Sequence, residues 1–191
     1  MTADLLFYPV ASLSDSLAEG TLVLTPNHRL ASRIRRAWAH YQVQQGATAW
    51  ETPRVMSLDH WWQACYREHR MQNPAAPPLA SAAQLRALWQ GVIAQDDSAA
   101  GLLRPSATAE MASKAYETLL RWDTDWRETA TRQLFEFSED STLFIRWADA
   151  FELALADCGL AMLDHALPQL AAEQTEPCIV LAEFSELAPL H

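Results

Sequence analysis

TLVLTPNHRLASRIRRAW, residues 21–38, reads as a buried strand, a break and then an amphipathic helix. The run TLVLT (21–25) is apolar, brief and bounded by turn residues, the pattern of a strand covered on both faces. Pro26 breaks the strand, and Asn27 suits the first capping position of a helix. From His28 onward, Leu30, Ile34, Trp38 and Tyr41 recur at three- and four-residue spacing and form one core stripe. Arg29, Arg33, Arg36 and His40 form a second, separate stripe, while Arg35 points elsewhere. Gly46 ends the helix.

Working outward, LLFYPV (5–10) and PRVMSL (53–58) read as two further strands, and Asp59 opens a helix that stops before the linker NPAAPP (73–78). Beyond the linker the pattern is helical. Ser81 caps one helix, and DDSAAG is a turn. A continuous helical stretch is predicted from about Ser106 to Phe137, its period kept by Met111, Ala115, Leu119, Trp122, Trp126 and Leu134. Ser141–Cys158 is another helix closed by Gly159, and Leu163–Gln174 is a last one, kinked or started late by Pro168. Trp38, Trp89, Trp122, Trp126 and Trp147 are assigned to packing. PCIVLAEF (177–184) returns to a strand.

Strands at both ends around a helical block predict an α/β chain, mostly helical, with a small parallel sheet and an inserted helical subdomain. The expected division is 1–58 for the first part of the sheet domain, 59–175 for the insertion and 176–191 for the returning strand. The last predicted strand lacks the helix that should cross back over the sheet, so a fragment of a longer chain is expected.

The 191 residues carry a net charge of −10, which argues against a wholly nucleic-acid-binding surface. Residues 20–70, however, carry seven Arg against Glu51, Asp59 and Glu68, and residues 71–191 carry seven basic against eighteen acidic residues. The basic charge is thus concentrated in the first third, and it is Arg, which suits fork-like phosphate contacts. Three cysteines at wide spacing fit reduced thiols. No apolar run reaches the length of a membrane span, and Asp4 stands where a secretory signal would be basic, so a cytoplasmic protein is expected.

A helix N-terminus after a strand offers free N–H groups and a positive dipole end to an anion. Thr25, Asn27 and His28 add side-chain donors there, and Arg29, Arg33 and Arg36 extend the charge along the helix, so a nucleic-acid phosphate is a fitting guest. The competing reading is a solvated face whose arginines pair internally with the acidic remainder of the chain. Cys65 and His69 share a helix face without further metal ligands nearby. Asp123, Asp125 and Glu128 read as a solvated acidic face. Trp50, in a loop next to Arg54, reads as a plug between helix and sheet, with base stacking as the alternative.

A phosphate-loop nucleotide site is missing. Such a loop needs glycines to wrap the phosphates, a Lys on the terminal phosphates and a Ser/Thr for magnesium. The segment SLSDSLAEGT before the strand has one Gly and no Lys, and Lys114, the only lysine, stands inside a predicted helix. No ATP hydrolysis, cofactor or metal is expected.

The strings LTPNHRLASRIRRAW and AWETPRVMSLDHWW, with the closing IVLAEFSELAPLH, resemble the amino-terminal region of AddB/RexB-like bacterial DNA-repair proteins. These are helicase-like proteins with a PD-(D/E)xK nuclease domain at the far C-terminal end. The resemblance implies a RecA-like (P-loop NTPase-like) sheet of the superfamily-one helicase type with a degenerate ATP site. It also implies single-stranded DNA held by its phosphate backbone, the remaining domains of the parent chain as partners, and a helicase or nuclease partner subunit. Nuclease chemistry would come from residues outside this sequence. Thr25, Asn27, His28 and Arg29 match the segment similar to the DNA-contacting motif Ia. The family usually has Gly before the phenylalanine and an acid after it, where this sequence has Glu183 and Ser185. Ala182 stands in the place of a metal-binding Asp, and Glu183 is read as a relic or surface residue. A different class of function is an acidic helical scaffold that binds protein and no nucleic acid.

Overall fold

The computed structural model describes residues 8–99 and 104–190. Its residues form two compact units, one of residues up to Glu68 together with Ala172–Leu187, the other of His69–Ala171 with Ala188 onward. The divisions fall within the third helix and near the end of the last one. The class is α/β and mostly helical, with one three-stranded parallel sheet.

In the sheet unit, the expected strand at 5–10 lies partly over residues 1–7, outside the described residues. Tyr8 and Pro9 are irregular, and Val10–Leu13 form a 3-10 turn leading into α1 (Ser14–Ala18). Strand β1 (Leu22–Thr25) is buried along its whole length and has a paired neighbour on each side. β2 (Val55–Ser57) and β3 (Ile179–Leu181) flank it, both parallel, in the order β2-β1-β3. Val23 is level with Val55 on one side and with Val180 on the other. Helix α2 (His28–Gln44) connects β1 to β2 and buries Ala31, Ile34, Ala37 and Trp38 in a core shared with Val10, Leu17, Val23, Val55 and Ala182. Gly46 adopts φ 79°, and Gly46 and Ala47 donate back to Val43 and Gln42, which closes the helix end. Helix α3 (Leu58–Gln72) begins at once after β2 and buries Leu58, Trp62 and Tyr66.

The helical unit contains α4 (Ala82–Ala94), α5 (Pro105–Arg121), α6 (Thr129–Phe135), α7 (Glu139–Asp157) and most of α8 (Leu163–Glu173). Ser81 and Gln84 form a reciprocal capping box at the start of α4. Pro168 lies inside α8. The core is aromatic: Trp89 stacks on Phe151 with ring centroids 4.3 Å apart, and Tyr116 meets Trp89, Phe151 and Trp126 edge-on.

The continuous helix expected from Ser106 to Phe137 is two helices. Asp123 takes a left-handed φ of 53°, while Asp123 and Thr124 donate to the carbonyls of Leu120 and Leu119. Those bonds satisfy the end of α5 in the way glycine usually permits, with Asp tolerating the conformation. The break lets Trp126 turn inward, where its indole N–H donates to Asp149. The buried stripe of α5 is Ala109, Ala112 and Tyr116, so Met111 and Trp122 are exposed and so is Leu134 of α6. Trp122 is not a packing residue; Trp38, Trp89, Trp126 and Trp147 are buried. Among the described residues, no helix is long and apolar enough to cross a membrane.

Candidate nucleic-acid interface

The junction between β1 and α2 is built around Thr25. Its side chain is 0% exposed, and its hydroxyl lies 2.9 Å from the Asn27 carbonyl and 3.2 Å from that of Met56. A hydroxyl has one proton to donate, so it goes to the nearer Asn27 carbonyl or is shared with the Met56 carbonyl of β2. Thr25 cannot touch a ligand from solvent. Its expected contact role is corrected to a positioning one: it sets the direction in which α2 leaves the sheet.

Asn27 is extended (φ −154°, ψ 158°), and its side-chain oxygen accepts the N–H of Leu30 at 3.0 Å. That bond satisfies one of the four free donors of the first turn. The N–H groups of His28 and Arg29 have no partner among the described residues. Both belong to exposed residues, so the positive end of the α2 dipole opens to solvent.

Arg29, Arg33 and Arg36 are exposed and lie along one face, about 10 Å from first to last at 1.5 Å per residue. Among the described residues, no carboxylate is ion-paired with any of them. Arg36 donates through Nε to the Ser32 carbonyl at 3.3 Å, and its terminal nitrogens have no partner among the described residues. Arg35, off the ridge and half-buried, donates to the Ser32 hydroxyl at 3.3 Å. The His28 Nε2 lies 3.5 Å from that same hydroxyl.

The position of this ridge in the sheet matters. β1 leads to β2 on one side while β3 lies on the other, so the strand order reverses at β1. In open parallel sheets, ligands sit outside the carboxyl ends of strands at such a reversal. The carboxyl end of β1 delivers Asn27, His28 and Arg29; that of β3 delivers Ala182 and Glu183. Glu183 holds a left-handed φ of 60°, and its carboxylate accepts the Tyr8 hydroxyl at 3.0 Å. Burial pushes the Tyr8 phenol up, and the Glu183 bond adds to the rise. This Tyr8–Glu183 contact escaped the sequence reading, because residues 175 apart show no local signal of their meeting. Ala182 is buried.

Before β1 the chain makes a 3-10 turn and the short helix α1. Lys114 lies within α5 and pairs with Glu110 at 2.7 Å, one helical turn away.

The other candidates separate. Arg54 makes a two-pronged bond to Glu176 at 2.8 and 2.7 Å, joining the residues that lead into the two flanking strands. Trp50 is 39% exposed in its loop, so it is no plug between helix and sheet. Burial pushes the half-buried Cys65 thiol up. Among the described residues, no three His, Cys, Asp or Glu converge as a metal ion would need. Asp125 faces Arg127, and Asp123 serves the end of α5. Comparison with family models and with curated proteins found no match for this chain.

Proposed function

We propose that this chain is a non-hydrolysing, helicase-like module that holds single-stranded DNA by its phosphates along α2, within a RecA-like sheet. The carrying observation is the ridge of Arg29, Arg33 and Arg36, which has no carboxylate partner among the described residues, beside an open helix N-terminus in a chain with ten excess negative charges. Guanidinium groups with no carboxylate partner among the described residues suit an external polyanion. One phosphate fits the free N–H groups of His28 and Arg29, and the following ones meet Arg33 and Arg36. Asn27 and His28 line the entry. The remaining domains of a parent protein, or a helicase or nuclease partner subunit, would supply motor and cutting chemistry.

The test is a titration of labelled single-stranded DNA at several salt concentrations. Each phosphate neutralised on a single strand contributes a slope of about −0.7 in log K against log salt. The Arg29→Ala/Arg33→Ala/Arg36→Ala variant is expected to lose about two units of slope. Equal, salt-insensitive binding by wild type and variant overturns the reading.

A second reading, a protein-binding scaffold, is favoured by a groove on the helical unit. It lies between α4 and α7, has a volume of about 710 Å³, and is floored by Leu88, Gly91, Val92 and Leu153. Asp97 and Asp157 line it besides the paired Asp96 and Arg146, so its net acidic charge suits a basic amphipathic helix. Leu153→Asp would abolish such binding and leave DNA affinity unchanged.

A further inference from the structure

Tyr116 is fully buried at the centre of the helical unit, yet its hydroxyl meets two titratable side chains. It lies 2.7 Å from the Glu152 carboxylate on α7 and 2.8 Å from Nε2 of His165 on α8. The hydroxyl carries one proton. It goes to the Glu152 carboxylate, which also accepts from Arg127, so the Tyr116 oxygen is left to accept from His165 Nε2–H. One tyrosine thereby joins α5, α7 and α8. The imidazole packs edge-on against the Tyr116 ring at 5.9 Å and keeps 32% of its side chain in solvent.

The charges around His165 come as two neutral pairs. Arg127, in the connection between α5 and α6, pairs with Glu152; Arg121 of α5 pairs with Asp164 of α8 at 3.1 Å. Glu152 Oε1 is 4.0 Å from His165 Nε2, close enough to attract an imidazolium, but the Arg127 charge offsets it. Asp164, itself paired with Arg121, also favours the imidazolium, whereas the loss of water around the ring favours the neutral form and is the largest influence. Burial accordingly pulls the His165 imidazole below its ordinary value, with the carboxylates opposing and Arg127 adding to the fall.

We propose that His165 makes the docking of α8 on α5 and α7 sensitive to acid, the docked helix holding the imidazole neutral and protonation favouring release. α8 is also the element from which the chain returns to β3, so this sensitivity sits at the exit of the helical unit. The sign follows from linkage. With the docked value depressed, the stability contributed by neutral His165 is full above the ordinary imidazole value. It is lost as pH falls below that value and through the docked one. Asp164, Glu152, Arg121, Arg127 and Tyr116 are the charged and titratable groups that face the ring.

The experiment is an NMR titration of the imidazole resonances of the whole chain, with His165→Gln identifying the His165 signal. Hydrogen exchange of the α8 amides is measured alongside, at pH 7.5 and pH 5.5, corrected for intrinsic rates. His165 is expected to titrate below the ordinary imidazole value. Removing the offsetting cation, in Arg127→Met, should raise it, because Glu152 then acts unopposed. α8 should lose protection at the lower pH in wild type and keep it in His165→Gln. An imidazole that titrates at or above its ordinary value in wild type overturns the proposal. Equal loss of α8 protection in wild type and His165→Gln overturns it as well.

Discussion

The arginines of α2 and those of the helical unit have the same chemistry and opposite circumstances. Arg121, Arg127, Arg132 and Arg146 each reach a carboxylate, on Asp164, Glu152, Asp149 and Asp96. Burial pushes the Asp96 carboxyl up, but bonds from Ser98, the Trp147 indole and Arg146 hold it below the ordinary range. Arg29, Arg33 and Arg36 have no such partner among the described residues. Where charges are paired around an aromatic core they orient helices; where a row stands open they remain available to a ligand. The difference is positional, since eighteen of the acids follow residue 70.

The largest expected effect tests the paired region through the core it surrounds. Trp89→Ala removes the stacking partner of Phe151 and should cost about 3–5 kcal/mol of stability by denaturant unfolding. The unpaired row is broken by replacing Arg29, Arg33 and Arg36 with Ala together. At about 1 kcal/mol per phosphate contact, affinity for single-stranded DNA should fall about 100-fold, with the melting temperature unchanged. Asn27 separates cap from ligand site. Asn27→Ala should cost about 1 kcal/mol of stability, whereas Asn27→Asp keeps the cap, preserves stability and weakens DNA binding by adding a negative charge. The smallest effects belong to Arg121→Ala, Arg127→Ala and Arg132→Ala. These solvent-screened pairs should each lose less than about 1 kcal/mol and leave DNA affinity unaltered. A loss of DNA affinity in those variants would erase the distinction between the two sets.

Much of the fold is legible in the sequence where the signal is local. The β1–Pro26–Asn27–α2 junction, the Ser81 cap and the stop at Gly159 depend on residues within one turn of each other. The ridge is legible too, because helical periodicity fixes which side chains share a face. Whether its arginines are paired is not, since that depends on carboxylates brought in from distant segments. The same limit hides Tyr116: its small neighbours Ala109 and Ala112 give a weaker stripe than Met111 and Trp122, which face outward. The end of α5 is masked because Asp123 adopts a conformation that glycine usually advertises. Thr25 reads as a donor for a ligand, but burial directs its hydroxyl to the backbone.

The register of the central strand also sets an order of assembly. Leu22 pairs with Ile179 across nearly the whole chain, whereas Val23 pairs with Val55 across a single helix. Closing the shorter loop costs less entropy, so β1, α2 and β2 are expected to pair first. β3 then adds most readily after the intervening helices have folded and drawn its ends together. A ribosome-bound chain truncated before residue 179 would carry the arginine row complete, beside a sheet still missing one edge.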